Sequence, residues 1–282
     1  MGTLEDNTEN GEYFVYRQLE TTDEFEDTLR LRYWTYRSSG LKSLIPENEH
    51  EIDFDAYDLR ARHFGLFRVY RGAELPVGYL RIVEDRDLSP ETGVWELISR
   101  FPSLGRLGKA RLRHPFPLMD YHPQKAVIRR SHREISSSKE RLVEACRLAL
   151  DPCFRSLRLA QHIVESALAV YFFHFGVEHA MWCCDGSHSR FYGLYGLRRL
   201  SGTKDSDFLG IGRDSCCLFG SAADVPERMA HRIRGMAEAY ESTGRIACFL
   251  GDPLRFSEAA SAGKTKAHVG HVRHVAAIAV AG

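Results

Sequence analysis

Apolar positions along the chain repeat with two different periods, and the alternation between them sets the expected architecture. Residues 13–19 (YFVYRQL) alternate weakly, as a first strand would. The spacing then changes: Phe25, Leu29, Leu31, Tyr33 and Tyr36 share one broad helical face. Thr22 is the expected cap of this helix, with Asp23 and Glu24 at the positive end of its dipole and a stop before Gly40. Two β-like runs, 63–70 (HFGLFRVY) and 77–83 (VGYLRIV), flank a hairpin turn at 71–74. Residues 140–150 (ERLVEACRLAL) fit a helix or a strand by pattern alone, and Asp151-Pro152 ends them. A helical period through Leu157, Ala160, Ile163, Val164, Ala167, Leu168, Tyr171 and Phe175 predicts a helix over 154–175, closed by Gly176. A strand over 177–184 follows, then a short helix capped by Ser187 and closed at Gly196. A strand over 214–220 and a helix over 225–242, with Pro226 in its first turn, complete the series.

Three stretches lack a period. Residues 1–12 read as a flexible leader. Residues 85–135, rich in proline and charge, read as a long loop or insertion with a short helix near 95–101. Residues 243–282 read as a peripheral or mobile tail, where His268, His271 and His274 recur every third position and a solvated tail is the plainer reading than a metal site. The order of elements predicts an α/β fold with a mixed sheet over 13–242.

Composition narrows the function. The 282 residues fit one or two domains. Lys+Arg and Asp+Glu are 38 each, so the formal charge is zero, which speaks against a nucleic-acid backbone binder. No stretch has the roughly 18 apolar residues of a membrane span; residues 166–177 are broken by His174. The acidic start (MGTLEDNTENGE) is unlike a signal peptide. Seven cysteines, an odd number with no CxxC spacing, suit buried reduced thiols and a cytoplasmic location rather than a zinc site. The absence of GxGxxG and GxxxxGK[ST] removes the main support for phosphate-loop folds.

Four constellations carry candidate chemistry. In EIDFDAYD, Glu51, Asp53, Asp55 and Asp58 repel one another unless a cation answers them: a metal, an arginine or a substrate ammonium. Arg30, Arg32 and Arg37 on the first helix can supply guanidinium forks. Glu144 and Arg147 lie on opposite faces if 140–150 is a strand and share a face if it is a helix; Glu144 is a candidate base. Tyr192, on a short helix after Ser187-His188, is a candidate acid. Solvated loop, surface charge, ion pair and core packing are the respective plain alternatives.

In this order RLRYWTYR, EIDFDAYD, GYLRIV, EACRLALDP and the F-Y-x-x-x-G-L segment resemble the GNAT-fold N-acyltransferases related to autoinducer (acyl-homoserine-lactone) synthases. They are most similar to the long-chain N-acyl amino acid synthases and to the acyltransferases of PEP-CTERM/exosortase systems. The resemblance spans roughly residues 13–220 and implies a GNAT-like fold with a mixed central sheet. It implies transfer of a fatty acyl group from a thioester, on acyl carrier protein or coenzyme A, to the amine of an amino acid or similar small amine, with no permanently bound cofactor. It places Arg32, Asp55, Asp58, Arg81 and Arg147 in substrate binding, Glu144 as base and Tyr192 as acid. The donor's phosphate region matches Arg155-Ser-Leu-Arg158-Leu-Ala160. There Arg158 replaces the central glycine of the usual loop, and its Cβ crowds close phosphate approach. A basic residue suits the single phosphate of a carrier-protein arm. Cys146 stands where relatives often carry serine, and 85–135 is longer than in autoinducer synthases. A coenzyme A-dependent acetyltransferase and a catalytically silent carrier-binding domain are the alternatives.

Overall fold

Among the residues described by the computed structural model (12–86, 88–108, 112–207 and 214–249), nine strands form one mixed sheet. They are β1 (Tyr13–Gln18), β2 (Ala61–Tyr70), β3 (Ala73–Glu84), β4 (Leu142–Leu150), β5 (His179–Asp185), β6 (Arg198–Arg199), β7 (Ser206–Asp207), β8 (Asp214–Ser221) and β9 (Arg245–Cys248). The order across the sheet is β9-β1-β2-β3-β4-β5-β8-β6, with β7 also on β8. The β4–β5 pair is parallel and the other pairs are antiparallel. This is the mixed α/β class expected.

Helices cover both faces. The helices α6 (Leu157–Leu168) and α8 (Glu227–Thr243) pack on one face with Leu159, Ile163, Ala230 and Ile233, against Leu66, Leu80 and Trp182 of the sheet. The other face carries α1 (Thr22–Arg37), α2 (Thr92–Arg100), α3 (Pro102–Gly108), α4 (Pro117–Tyr121) and α5 (Lys125–Ser137).

Differences from the sequence pattern have local causes. Thr21, not Thr22, caps α1, in a capping box with Glu24. Leu31 stays half-buried and Arg32 is buried in its stead. Residues 85–135 hold four helices rather than one. Each is short, so no period accumulates, and Pro102 and Pro117 mark first helical positions. The helix expected over 154–175 starts later, because Pro152–Phe154 forms a 3-10 turn and Ser156 caps α6. It ends in a π-helical turn, Ala169–His174. Asp185 rather than Ser187 caps the turn that leads to α7 (Ser189–Gly193), by accepting from the Ser187 amide. Gly196 has φ +83°, and a Cβ there would sit 2.1 Å from the Asp224 carbonyl oxygen, so glycine is required. Within 243–282, β9 pairs with β1 at the sheet edge. The leader 1–11, residues 250–282 and the three histidines lie outside the described residues.

Candidate active site

Arg32, Asp55, Asp58, Arg81, Glu144 and Arg147 meet on the α1/α4 face of the sheet, and a defect in β4 brings Arg147 there. Between Tyr79/Ala149 and Arg81/Cys146 the β3–β4 register takes two residues on β3 and three on β4. The extra residue is a bulge, and Arg147 sits in it with φ +59°. Val143, Ala145, Leu148 and Leu150 join the α6/α8 core, so their side chains skip from 145 to 148. Cys146 and Arg147 therefore both lie on Glu144's face. Strict alternation would have put Arg147 on the opposite one. The left-handed conformation costs a non-glycine residue about 1–2 kcal/mol.

The EIDFDAYD spacing is first of all a turn. Asp55 caps the 3-10 turn Ala56–Arg60 by accepting from the Tyr57 amide, and Asp58 accepts back from the Asp55 amide. Arginines answer the carboxylates. Arg32 donates to both oxygens of Asp58 at 2.9 Å, and its Nε lies 2.6 Å from Asp53 Oδ2. Arg81 Nη1 reaches Asp55 at 2.7 Å and Asp58 at 2.9 Å. Arg147 Nη2 reaches Asp55 at 3.2 Å, and its Nε lies 3.8 Å from Asp53. Burial alone would raise the carboxyls, but Arg32 and Arg81 outweigh it and hold Asp58 well below the usual range; Arg81 does the same for Asp55. Three guanidinium groups thus balance three carboxylates. Arg30 instead pairs with Glu26 on the half-exposed side of α1, and Arg37 pairs with Glu47 at the surface, so Arg32 is the buried one.

Glu144 stands apart from that balance. It is fully buried, and its Oε2 accepts from the Leu118 amide at 3.0 Å. Burial pushes its carboxyl up to about 8, against the pull of the Leu118 amide and Arg81. Six buried polar atoms here make no hydrogen bond; Arg32 Nε, Arg147 Nε and Asp53 Oδ2 face one another as ion pairs, which leaves Glu144 Oε1, Arg81 Nη2 and Arg147 Nη1. They amount to one acceptor and two cationic donors on neighbouring side chains.

Beneath them lies a neutral relay. His63 faces Arg81 across β2–β3. Its Nε2 donates to the Asp58 carbonyl oxygen at 2.9 Å, which leaves Nδ1 to accept from the Tyr79 hydroxyl at 2.7 Å. Arg32 donates to that same hydroxyl oxygen at 3.0 Å. Burial holds His63 down to about 4, so it is uncharged. His63 and Tyr79 were not singled out by the motifs. Tyr79 lies two residues before Arg81 on one strand, the spacing that puts both on one face.

β4 and β5 pair only over Leu142–Ala145 and His179–Trp182. Beyond that point they no longer pair. Tyr36 of α1 lies near the bulge: its hydroxyl is 3.4 Å from the Leu148 carbonyl oxygen and its ring 5.7 Å from the Arg147 guanidinium. Tyr192 belongs to the core on the opposite face, its ring 4.8 Å from that of Trp182. Burial first, then Cys184 and Tyr36, hold its phenol protonated. Tyr192 is thus not a member of the charged cluster.

Arg155, Arg158 and Ala160, expected to meet the donor's phosphate, sit at the start of α6, directly after β4. The Leu159 amide donates to the capping Ser156 hydroxyl, and the Ala160 amide to the Ser156 carbonyl oxygen. Ala160's N–H is therefore engaged within the helix. Arg158 is exposed and donates to the Phe249 carbonyl oxygen at 3.2 Å. Arg155 is half-buried.

No protein-family model matches the chain, and no curated protein matches it. Its structural neighbours include acyl-transferring synthases, acetyltransferases and a bacterial toxin. One is the N-acyl amino acid synthase FeeM from uncultured soil microbes, at 15% identity and TM-score 0.49, covering 78% of this chain and 98% of that one. A coenzyme A-dependent acyl-homoserine lactone synthase, BjaI, gives 11% identity and TM-score 0.48, over 80% of this chain and 90% of that one. The acyl-homoserine lactone synthase LasI gives 13% identity and TM-score 0.45, over 75% and 90%.

Proposed function

We propose that the protein is an N-acyltransferase that moves a fatty acyl group from a thioester onto the amine of an amino acid. The observation that carries this reading is the trio of unpartnered buried atoms around the β4 bulge. Glu144 Oε1 is placed to take a proton from an amine, and Arg81 Nη2 and Arg147 Nη1 are placed to hold a carboxylate. An α-amino acid carries both groups on one carbon. A plain amine would leave both guanidinium donors unmet.

The thioester lies where β4 and β5 part. The amine nitrogen attacks its carbonyl carbon, the C–N bond forms and the C–S bond breaks. Glu144 accepts the amine proton. Main-chain amides of the bulged strand stabilise the oxyanion. The proton that Glu144 takes from the amine passes to the leaving thiolate, which restores the carboxylate; Tyr192, the acid that the resemblance implies, stays in the core on the other face with its phenol protonated. Asp55 and Asp58 fix Arg81 and, with Asp53, Arg32 and Arg147, hold the acceptor side rigid. The thiol arm of the donor, acyl carrier protein or coenzyme A, runs past the start of α6, where Arg155 and Arg158 meet its phosphate and the small Ala160 leaves it room.

The test incubates the purified protein with acyl carrier proteins of graded acyl length, or acyl-coenzyme A, and a pool of amino acids, with products read by mass spectrometry. An N-acyl amino acid that disappears with Glu144→Gln is the expected result. Consumption of acetyl-coenzyme A alone makes it an acetyltransferase. No product from any donor replaces the enzyme with a carrier-binding domain.

A further inference from the structure

Glu144 owes its one hydrogen bond to α4, a helix of five residues within the 85–135 insertion. A single helical turn does not hold itself together in water. Phe116, Leu118 and Met119 bury its apolar side. Its polar side is held by a chain of side-chain contacts. The Tyr57 hydroxyl donates to Asp120 Oδ2 at 2.5 Å and lies 3.1 Å from the Phe116 carbonyl oxygen. His114 Nδ1 lies 2.5 Å from the other oxygen of Asp120. Arg129 of α5 donates to the Met119 carbonyl oxygen at 2.8 Å, and its Nη2 is 3.8 Å from Asp120.

Tyr57 belongs to the same turn as Asp55 and Asp58, so one turn is fastened at both ends. Its carboxylates grip Arg32, Arg81 and Arg147. Its phenol grips the segment that carries the Leu118 amide. We propose that the Tyr57–Asp120–His114 clasp is a positioning device for Glu144, with Tyr57 and Asp120 as positioning residues that fix the free carboxyl oxygen relative to Arg81 and Arg147. This rests on Glu144 acting as the base. It gives the insertion a role in the reaction rather than at the surface.

The titratable groups around Glu144 are Arg81 on β3, Asp55 and Tyr57 on the turn, and Cys146 and Arg147 on β4. Cys183 on β5 and Cys217 on β8 complete the set. Of the clasp only Tyr57 belongs to this set, so Asp120→Ala, which leaves the phenol in place, tests the route through the Leu118 amide.

The experiment follows the Glu144 carboxyl by carbon-13 NMR, assigned with Glu144→Gln, in wild type, Tyr57→Phe, Asp120→Ala and Asp120→Asn. Tyr57→Phe and Asp120→Ala should each raise the Glu144 midpoint by about one pH unit, because the hydrogen bond to its charged form is loosened. Amide exchange at Leu118 should quicken about tenfold. In turnover, kcat should fall about tenfold with KM changed less than about twofold. Asp120→Asn keeps an acceptor for Tyr57 and should shift the midpoint less. An unmoved midpoint and unmoved Leu118 exchange in variants that are folded by circular dichroism overturn the clasp. A wild type that transfers no acyl group, with midpoints shifted as expected, keeps the clasp and removes the proposed activity. Transfer with unmoved midpoints does the reverse.

Discussion

Glu144→Gln separates what this residue does for the fold from what it does in the reaction. Glutamine keeps the shape and the acceptor for the Leu118 amide but never ionises. In the folded chain the Glu144 carboxyl titrates at about 8 instead of 4.5, because it is buried. A carboxyl raised in this way contributes stability that is fully present below 4.5 and lost as the pH rises through 8. In that window the folded state keeps the proton and the unfolded state releases it. At pH 7 the unfolded chain is about 2.5 units past its midpoint while the folded one is not. At 1.36 kcal/mol per unit, ionisation favours the unfolded wild type by about 3 kcal/mol. The loss levels off near 5 kcal/mol above pH 8 on the same arithmetic. Glutamine has two side-chain N–H donors without a partner where the protonated carboxyl has one O–H, an added cost of about 1–3 kcal/mol that does not change with pH.

Urea unfolding of both chains at pH 5, 7 and 8.5 reads this directly. Relative to wild type the variant should gain about 2.5 kcal/mol between pH 5 and pH 7, roughly 5–10 °C in Tm. Turnover should fall by about 10²–10⁴-fold, and the wild-type rate should rise with pH to a plateau above 8. A variant that gains stability on wild type as the pH rises, while it loses turnover, marks a group placed against the needs of the fold. Parallel stability curves across pH would mean that the folded carboxyl titrates near its ordinary value, and the argument would fail. A variant that loses stability relative to wild type between pH 5 and pH 7 would mean that Glu144 is ionised and paired.

Arg32→Met should cost about 3–5 kcal/mol in denaturant unfolding, since it leaves Asp53 and Asp58 buried without their fork. Adding Asp58→Asn should restore part of that loss, and strict additivity of the two changes would show that they do not interact. Arg147→Gly keeps the left-handed bulge backbone without strain and removes the side chain with its pairs to Asp53 and Asp55. It should raise KM for amino acids about 10–100-fold while leaving a decarboxylated amine of the same side chain unchanged. An equal rise for both acceptors would remove Arg147 from carboxylate binding.

The first helix was legible because it has one wet face, and β2, β3, β5 and β8, although largely buried, because turn residues bound short β-rich runs. β4 was not, because all nine of its residues are buried and a strand dry on both faces carries no alternation. Its bulge was invisible for the same reason, so a strand reading put Arg147 on the wrong side of Glu144. The insertion hid its helices because helices of five to thirteen residues, set off by prolines, give too few repeats. The carboxylate–arginine pairs were reachable from the order of motifs. The contact between Leu118 and Glu144 was not: it joins a main-chain amide to a side chain 26 residues away, and an amide leaves no mark in sequence.

Two violations of ordinary folding rules fall within four residues of one strand. Arg147 holds a conformation that costs a side-chain-bearing residue energy, and Glu144 holds a carboxyl where burial pushes it to about 8. Neither is forced by its neighbours. Glycine would relieve the first and glutamine the second, and the surrounding core of Val143, Ala145, Leu148 and Leu150 packs the same way in either case. The three aspartates already satisfy the charge of Arg32, Arg81 and Arg147, so Glu144 is not needed to neutralise them. Its free oxygen and the free nitrogens of Arg81 and Arg147 are therefore surplus to the fold. Surplus buried polar atoms are costly, and a chain keeps them where a ligand completes their hydrogen bonds. The strained bulge is what sets Arg147 on that face, beside the acid and next to the point where β4 and β5 stop pairing.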